Sequence, residues 1–194
     1  MSRLVDRGAI AAAYVGIGMA VTIVASFTLI IPIEWVIWLL ALPSGLLIGY
    51  YANQRSDRRA GPWHRILANG LFAGAVTGLA VAALLVLVKA IFFFADSGYP
   101  DFNRVDAQNR RIPPYCDAGA DCVYQRYLTA GRGVGLAAAG INDLSSFTAF
   151  YWREQLGSAT TVIILSTVGG LGGAGLYGLF RPKPAIPGTA AASR

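Results

Sequence analysis

Charged residues are scarce in this chain and are missing altogether from four long stretches of it. Asp, Glu, Lys and Arg make up 13% of the 194 residues, whereas they make up about a quarter of an ordinary soluble domain. No charged residue falls within 8–31, 35–54, 66–88 or 155–180. This absence excludes an ordinary soluble domain.

Histidine and cysteine are also scarce, and this excludes most kinds of site chemistry. His64 is the one histidine, which leaves no second imidazole for a haem-ligand pair or a zinc cluster, and no Ser-His-Asp arrangement. Asp117 and Asp121 lie between the two cysteines and could hold a calcium ion. Because Ca²⁺ normally takes 6–8 oxygen ligands, the simpler interpretation is that they are solvated carboxylates of a loop. We therefore expect no catalytic residue, no metal and no cofactor. An enzyme acting on lipid through Asp or Glu is the weakest alternative.

The apolar runs are the main positive signal. Each reaches the roughly 20 residues that a helix needs to cross a hydrocarbon core of about 30 Å. They predict an all-α fold, a polytopic membrane protein with four transmembrane helices in one glycine-rich, tightly packed domain over 1–194. The predicted spans are 8–31, 35–52, 66–94 and 158–180.

Helices 3 and 4 of this prediction are joined by one long extracytoplasmic loop, 95–157, and the proline-rich tail 181–194 is predicted to be disordered. Within the loop, from Asn142 as a helix N-cap, the apolar residues up to Tyr151 fall close to one helical face. Two interpretations stay open for this stretch. It forms a short amphipathic helix on the outer surface, or it extends helix 4 outward.

Basic residues are distributed unevenly between the connections. The 53–65 loop contains four Lys or Arg residues, and the 31–34 turn contains none. Because cytoplasmic loops carry the excess of Lys and Arg, both termini are predicted to be cytoplasmic, in a plasma (inner) membrane. The net charge of +6 is thus a topology signal, and nucleic acid is not an expected partner.

The only two cysteines, Cys116 and Cys122, fall in the loop predicted to lie outside. A nearby pair on the oxidising side of a membrane predicts a disulfide that closes a small loop. Two unrelated free thiols are the alternative.

Small residues recur at every fourth position in all four apolar segments. Such rows let helix backbones approach closely in a membrane, where dispersion contacts hold helices together. The residues predicted to pack helices are Gly16, Gly45, Gly49, Gly70, Gly74, Gly78, Gly170, Ala174 and Gly178.

Pro43 and Lys89 are the other candidates for function. Pro43 falls inside helix 2, where a proline removes a backbone hydrogen bond and produces a kink, so it is a candidate hinge. An intramembrane lysine is a functional-site hypothesis, but Lys89 lies close enough to the end of its apolar run for its ammonium to reach the headgroups by snorkelling, which is the favoured interpretation.

These features predict a non-enzymatic integral membrane protein. Its expected role is an accessory or assembly subunit of a larger membrane complex, or a self-associating helix bundle, with the bilayer and other membrane subunits as partners. The alternative is a small oligomeric channel or transporter, which Pro43, Lys89 and the glycines of 169–173 favour.

Overall fold

All of the regular secondary structure in the described part of the computed structural model is helical, and no strand occurs there. The described residues are 5–30, 35–57, 61–95, 106–110, 113, 115–116 and 118–180. The predicted disordered tail, 181–194, lies outside them. The helices are α1 (Arg7–Val24), α2 (Trp35–Arg55), α3 (Trp63–Phe94), α4 (Ala120–Tyr127), α5 (Gly133–Ala138) and α6 (Leu144–Leu179).

Two of the connections are themselves helical. α1 continues as a π-helical segment, Ala25–Ile30, and a second π-helical turn, Leu128–Arg132, joins α4 to α5. Gly131 breaks that turn with a φ of 77°, a left-handed conformation that a residue without Cβ adopts at little cost. The chain changes direction there without a longer loop.

Four of these helices are long and apolar enough to cross a membrane: α1 with its π-helical extension, α2, α3 and α6. They pack against each other through the small residues described below. The prediction of an all-α fold with four apolar helices is confirmed. The assignment of the whole chain to one domain stays a prediction.

α6 begins at Leu144, well before the predicted start of helix 4 at 158. The stretch before the apolar run therefore extends helix 4, as the second of the two open interpretations has it, and the predicted loop 95–157 is shorter by this stretch. The extension forms because Phe147 and Tyr151 are 0% and 8% exposed and pack in a protein core, which stabilises helix beyond the apolar run.

Asp143, and not Asn142, caps this extension. The Ser146 backbone N–H donates to Asp143 Oδ1 at 2.8 Å, and the Asp143 N–H donates to Ser146 Oγ at 3.3 Å. This reciprocal pair is a capping box, which satisfies two backbone donors at the start of a helix. The Asp143 carboxylate at that position explains where α6 starts.

The chain divides into two compact units, and each of the four long helices contributes to both. The terminal unit comprises Met1–Met19, Leu39–Gly78 and Ile164–Arg194; the loop unit comprises Ala20–Trp38 and Leu79–Ile163. The core of the terminal unit is dominated by small residues, with Ala9, Ala12, Ile48, Ala52 and Ala73 forming one cluster.

The core of the loop unit is dominated by large side chains. Its buried members are Phe93, Leu136, Ile141, Phe147 and Tyr151. Close backbone approach thus organises one unit, and the burial of large apolar and aromatic side chains organises the other.

Candidate functional site

Close backbone contact joins α2, α3 and α6 in the terminal unit. A Cβ at Gly49 or at Gly70 would overlap the carbonyl oxygen of Gly170. A Cβ at Gly74 would lie 2.9 Å from Gly170 Cα, a separation that real Cβ atoms do not show. We call this contact region the glycine seam; its members are Gly45, Gly49, Gly70, Gly74, Ser166 and Gly170.

A second row on α6 faces α2 alone. A Cβ at Gly169 would overlap the Leu42 carbonyl oxygen, and a Cβ at Gly173 would overlap that of Leu46. Because glycine has no side chain to keep the backbones apart, α6 touches α2 and α3 at main-chain distance. The two rows explain why α6 carries so many glycines in one stretch.

All nine residues predicted to pack helices are buried. Gly16 of α1 lies against Thr77, and a Cβ at Gly178 would overlap the indole of Trp63. Ala174 is 0% exposed in a small cluster with Ile66 and Tyr177. The predicted rows therefore lie within the fold of a single chain.

Ser166 contributes the one side-chain hydrogen bond described across the seam. Its hydroxyl donates to the Gly74 carbonyl oxygen at 2.9 Å. The donor is buried and separated from the acceptor by 92 positions in the chain. Interhelical bonds of this kind fix the register of membrane helices.

Some glycines of the long helices have open space where a side chain would be. A Cβ at Gly18 of α1, or at Gly172 or Gly175 of α6, would meet nothing within 4 Å. The last two flank the buried pair Gly173 and Ala174 on the same helix. Part of the glycine content is therefore not used by packing within the described chain.

Two buried asparagines link the first three helices at one end of the terminal unit. Asn69 of α3 donates from Nδ2 to Asp6 Oδ2 at 2.8 Å and to Asn53 Oδ1 at 3.3 Å, and its Oδ1 accepts the Asp6 N–H at 3.1 Å. Asn53 donates to the carbonyl oxygens of Gly49 and Ile66 at 3.1 and 3.0 Å. Both asparagines are 0% exposed.

The asparagine network uses both N–H donors of each amide. A buried amide without partners costs about 1–3 kcal/mol, so a complete set of bonds favours one arrangement of α1, α2 and α3. Sequence analysis missed this network because Asn69 is an uncharged residue within an apolar run and Asn53 lies at the edge of a polar loop. Their 16-residue separation gives no helical periodicity to detect.

The loop unit contains the predicted disulfide. Cys116 and Cys122 are bonded, with their Cα atoms 5.5 Å apart, and Cys122 on α4 is 1% exposed. The Gly119 N–H donates to the Phe93 carbonyl oxygen at 3.0 Å, so the start of α4 is attached to the end of α3. The predicted disulfide is thus present, beside the junction of these two helices.

Aromatic rings fill the space between α3, α4 and α6. The ring of Phe93 lies 4.7 Å from that of Tyr151, and Phe147 contacts Tyr124 and Tyr127 at 4.8 and 5.1 Å. Such contacts contribute beyond the area that they bury. The aromatic core thus packs α4 against α6, and α6 against α3.

Two of the described carboxylates of the loop unit, Asp106 and Asp143, make local hydrogen bonds. The Arg110 backbone N–H, bonded to Asp106 Oδ1 at 2.9 Å, lowers the pKa of Asp106, and the Arg110 guanidinium adds to this at 2.8 Å. The Ser146 backbone N–H likewise lowers the pKa of Asp143. Both carboxylates therefore serve a turn or a helix end.

Pro43 lies inside α2, as the sequence predicted. Lys89 is 6% exposed, so protein atoms cover most of its side chain, and the roles of both residues stay predictions. Pro43 is on the exposed side of α2, and the helix runs through it from Trp35 to Arg55. α6 is likewise continuous through 169–173, so neither candidate break interrupts its helix.

Within the described residues, no group of three or more His, Cys, Asp or Glu side chains could hold a metal ion. Comparison of the chain with protein families, with characterised proteins and with solved structures finds no match. The arrangement of the side chains themselves is therefore the basis for any functional proposal.

Proposed function

We propose that this protein is a non-enzymatic subunit of a membrane assembly, either an accessory component of a larger complex or a bundle that associates with its own copies. The proposal rests on the hydrogen bonds that the buried polar side chains make. Asn53, Asn69 and Ser166 hydrogen-bond to other parts of the fold, and Thr28 and Thr77 bond to their own helices. The two asparagines and Ser166 thus connect different helices, and the two threonines satisfy their hydroxyls within one helix.

Unused glycines on the exterior support association with another helix. Gly172 and Gly175 leave open space on α6, and a glycine that faces only lipid gains no packing to offset its low helix propensity. Large apolar side chains surround them: Val168 and Leu179 are 53% and 71% exposed. A second helix in contact with this face would use both features.

We propose that the protein resides in a plasma (inner) membrane with both termini in the cytoplasm. The excess of Lys and Arg in the 53–65 loop over the 31–34 turn supports this orientation. The Cys116–Cys122 disulfide supports it independently, since disulfides persist on the oxidising side of such a membrane. The part of the loop unit outside the long helices, with its disulfide, would then lie at the extracytoplasmic surface.

Native mass spectrometry of the tagged protein, extracted gently from its own membrane, tests the proposed role. A heteromeric complex or a homo-oligomer supports it. A stable monomer without a protein partner contradicts it.

Two substitutions connect this measurement to the exposed glycines. Gly172→Leu and Gly175→Leu should leave the folded chain intact, since a side chain has room there, but should release the partner. Gly157→Leu is the matched control, because Gly157 also has open space on α6 but lies away from these two positions. Equal recovery of the partner in all three variants would contradict a role for this face.

A small oligomeric channel or transporter is the second candidate, and buried Lys89 is the observation that favours it. Lys89 lies in a helix long and apolar enough to cross a membrane, and it is 6% exposed. Intramembrane cations commonly mark ion or substrate pathways. Flux in proteoliposomes that Lys89→Met abolishes would support this function, and no flux across a panel of ions and small solutes would exclude it.

A further inference from the structure

The segment 128–141, which we call the interfacial segment, is unusual in its composition, in the exposure of its apolar side chains and in its position in the chain. It contains one charged residue, Arg132, and no acidic residue. Its large apolar side chain Val134 is 84% exposed, and Leu128 is 37% exposed. Yet it lies outside the four helices that are long enough to cross a membrane.

We propose that the interfacial segment lies in the surface of the lipid leaflet next to the loop unit, with Val134 and its neighbouring methyl groups inserted among the lipids. The partner is thus the bilayer that the four long helices cross. This proposal needs only that these helices span a membrane. It does not depend on the proposed subunit role.

The position of the segment along the long helices supports the proposal. The Trp38 indole N–H donates to Ser158 Oγ at 2.8 Å, and tryptophan is enriched at membrane interfaces. Tyr151 precedes Ser158 by about two turns of α6, or about 10 Å. Because the headgroup region extends roughly 5–7 Å beyond the hydrocarbon core on each side, Tyr151 and the rings around it are at the outer edge of that region.

The interfacial segment is attached to this same level. Leu136 and Ile141, each 6% exposed, pack in one core with Phe93 and Tyr151. The neighbours of Phe93 on α3 are apolar and exposed, with Ile91 at 50% and Phe94 at 65%. The exposed apolar surface of the spanning helix therefore continues onto the segment at its membrane end.

The single charge of the segment is suited to the same surface. The Arg132 guanidinium lies 5.0 Å from the centroid of the Tyr127 ring, a cation–π arrangement. Arginine is attracted to anionic headgroups, and tyrosine is favoured at headgroup depth. Arg132 and Tyr127 form a polar side and Val134 an apolar side, as in an amphipathic helix that lies in a membrane interface.

Fluorescence quenching of the full-length protein in phosphatidylcholine and phosphatidylglycerol vesicles tests the proposal. An NBD label is attached to Val134→Cys; the native cysteines form the disulfide and do not react. Gln108→Cys, in an exposed turn, is the aqueous control, and Leu87→Cys, 54% exposed on α3, is the lipid control.

A label at position 134 should be quenched by a lipid spin-labelled near the headgroup about threefold more strongly than one at position 108, and correspondingly less by iodide. Iodide quenching at 134 as strong as at 108 would overturn the proposal. Protection from both quenchers would also overturn it, because protein would then cover the segment. Ala137→Cys, a second exposed position, gives the same comparison if the first variant does not fold.

Discussion

The Ser166 hydroxyl and the Gly74 carbonyl oxygen, 2.9 Å apart, join α6 to α3 inside the glycine seam. The bond forms where the two backbones are already in close contact, since a Cβ at Gly74 would lie 2.7 Å from the Ser166 carbonyl oxygen. Position 74 of α3 therefore has no room for a side chain. Packing and hydrogen bonding depend on each other at this position.

Ser166→Ala tests the value of that hydrogen bond. We expect a loss of about 0.6 kcal/mol of unfolding free energy, the mean for interhelical bonds in a membrane bundle, with an upper range of about 1.7 kcal/mol. Equilibrium unfolding in mixed micelles measures it. Thr160→Ala is the control, because the exposed Thr160 hydroxyl bonds only within its own helix at Leu156; an equal loss in both variants would contradict the prediction.

Gly170 should tolerate no side chain, while Gly172 should tolerate one. A Cβ at Gly170 would lie 2.8 Å from Gly74 Cα, whereas one at Gly172 meets nothing within 4 Å. Forcing an added methyl into a packed interior costs about 1–3 kcal/mol, so Gly170→Ala should lower the thermal midpoint. Gly172→Ala should leave it unchanged or raise it, since alanine is the better helix former. Equal midpoints in the two variants would show that the seam is not closely packed.

Asn69→Leu should disrupt the polar link between α1, α2 and α3. The substitution leaves Asn53 Oδ1 and the Asp6 N–H without the partners that they have now, at a cost of about 1–3 kcal/mol each. Gln54→Leu, at an exposed position of α2, is the control in the same unfolding assay. The double variant Asn53→Leu/Asn69→Leu should lose less than the sum of the single losses, because the two side chains share a bond; strict additivity would argue against a network.

Protonation of Asp143 should loosen the start of α6. Hydrogen bonds from the Ser146 backbone hold the pKa of Asp143 below its ordinary value of 3.8. The carboxylate's stabilising contribution is therefore complete above that ordinary value and is lost as the pH falls through the lowered pKa of the folded state. In the natural protein, the protection factor of the first turn of α6 (the intrinsic exchange rate at each pH divided by the observed rate) should therefore fall in acid.

The matched variants separate charge from hydrogen bonding at this cap. Asp143→Asn keeps an acceptor for the Ser146 N–H, so the protection factor of this turn should be high and nearly independent of pH through the acid range. In Asp143→Ala the protection factor should be low at every pH. An acid-induced change that persists in Asp143→Asn would assign the pH dependence to another group.

Loss of the disulfide should affect the loop unit. The bond closes a loop with a sequence separation of 6, and its removal costs about 2 kcal/mol in the chain-entropy description. In Cys116→Ser/Cys122→Ser, hydrogen exchange should increase in 115–127. Reduction of the natural protein should have the same effect, and unchanged protection under both conditions would contradict the prediction.

The sequence predicted the helices that depend on local composition. It missed the contacts between residues that lie far apart in the chain. Charge-free windows identify where hydrocarbon can surround a helix, and they located all four long helices. They do not measure helix length: Arg153 and Glu154 interrupt the pattern before helix 4, yet both are exposed within α6. Helix there is stabilised by Phe147 and Tyr151, whose contacts on α3 and α4 have no local signature.

The candidate site was predictable in part for the same reason. Spacing by four placed the glycines on one side of each helix, but could not show that α2 and α3 both contact Gly170. The cysteine pair was identified by its proximity in sequence. The burial of Lys89 could not be predicted, because distance from the end of an apolar run says nothing about which side of the helix the protein covers.

The asparagine network has a consequence for the order of assembly during synthesis. Asn69 completes its bonds with Asp6 and Asn53, all of which belong to the part of the chain made before α6. The first three helices can therefore settle in the bilayer while the ribosome is still translating the remainder. α6 is synthesised later, and it packs against Gly45, Gly49, Gly70 and Gly74.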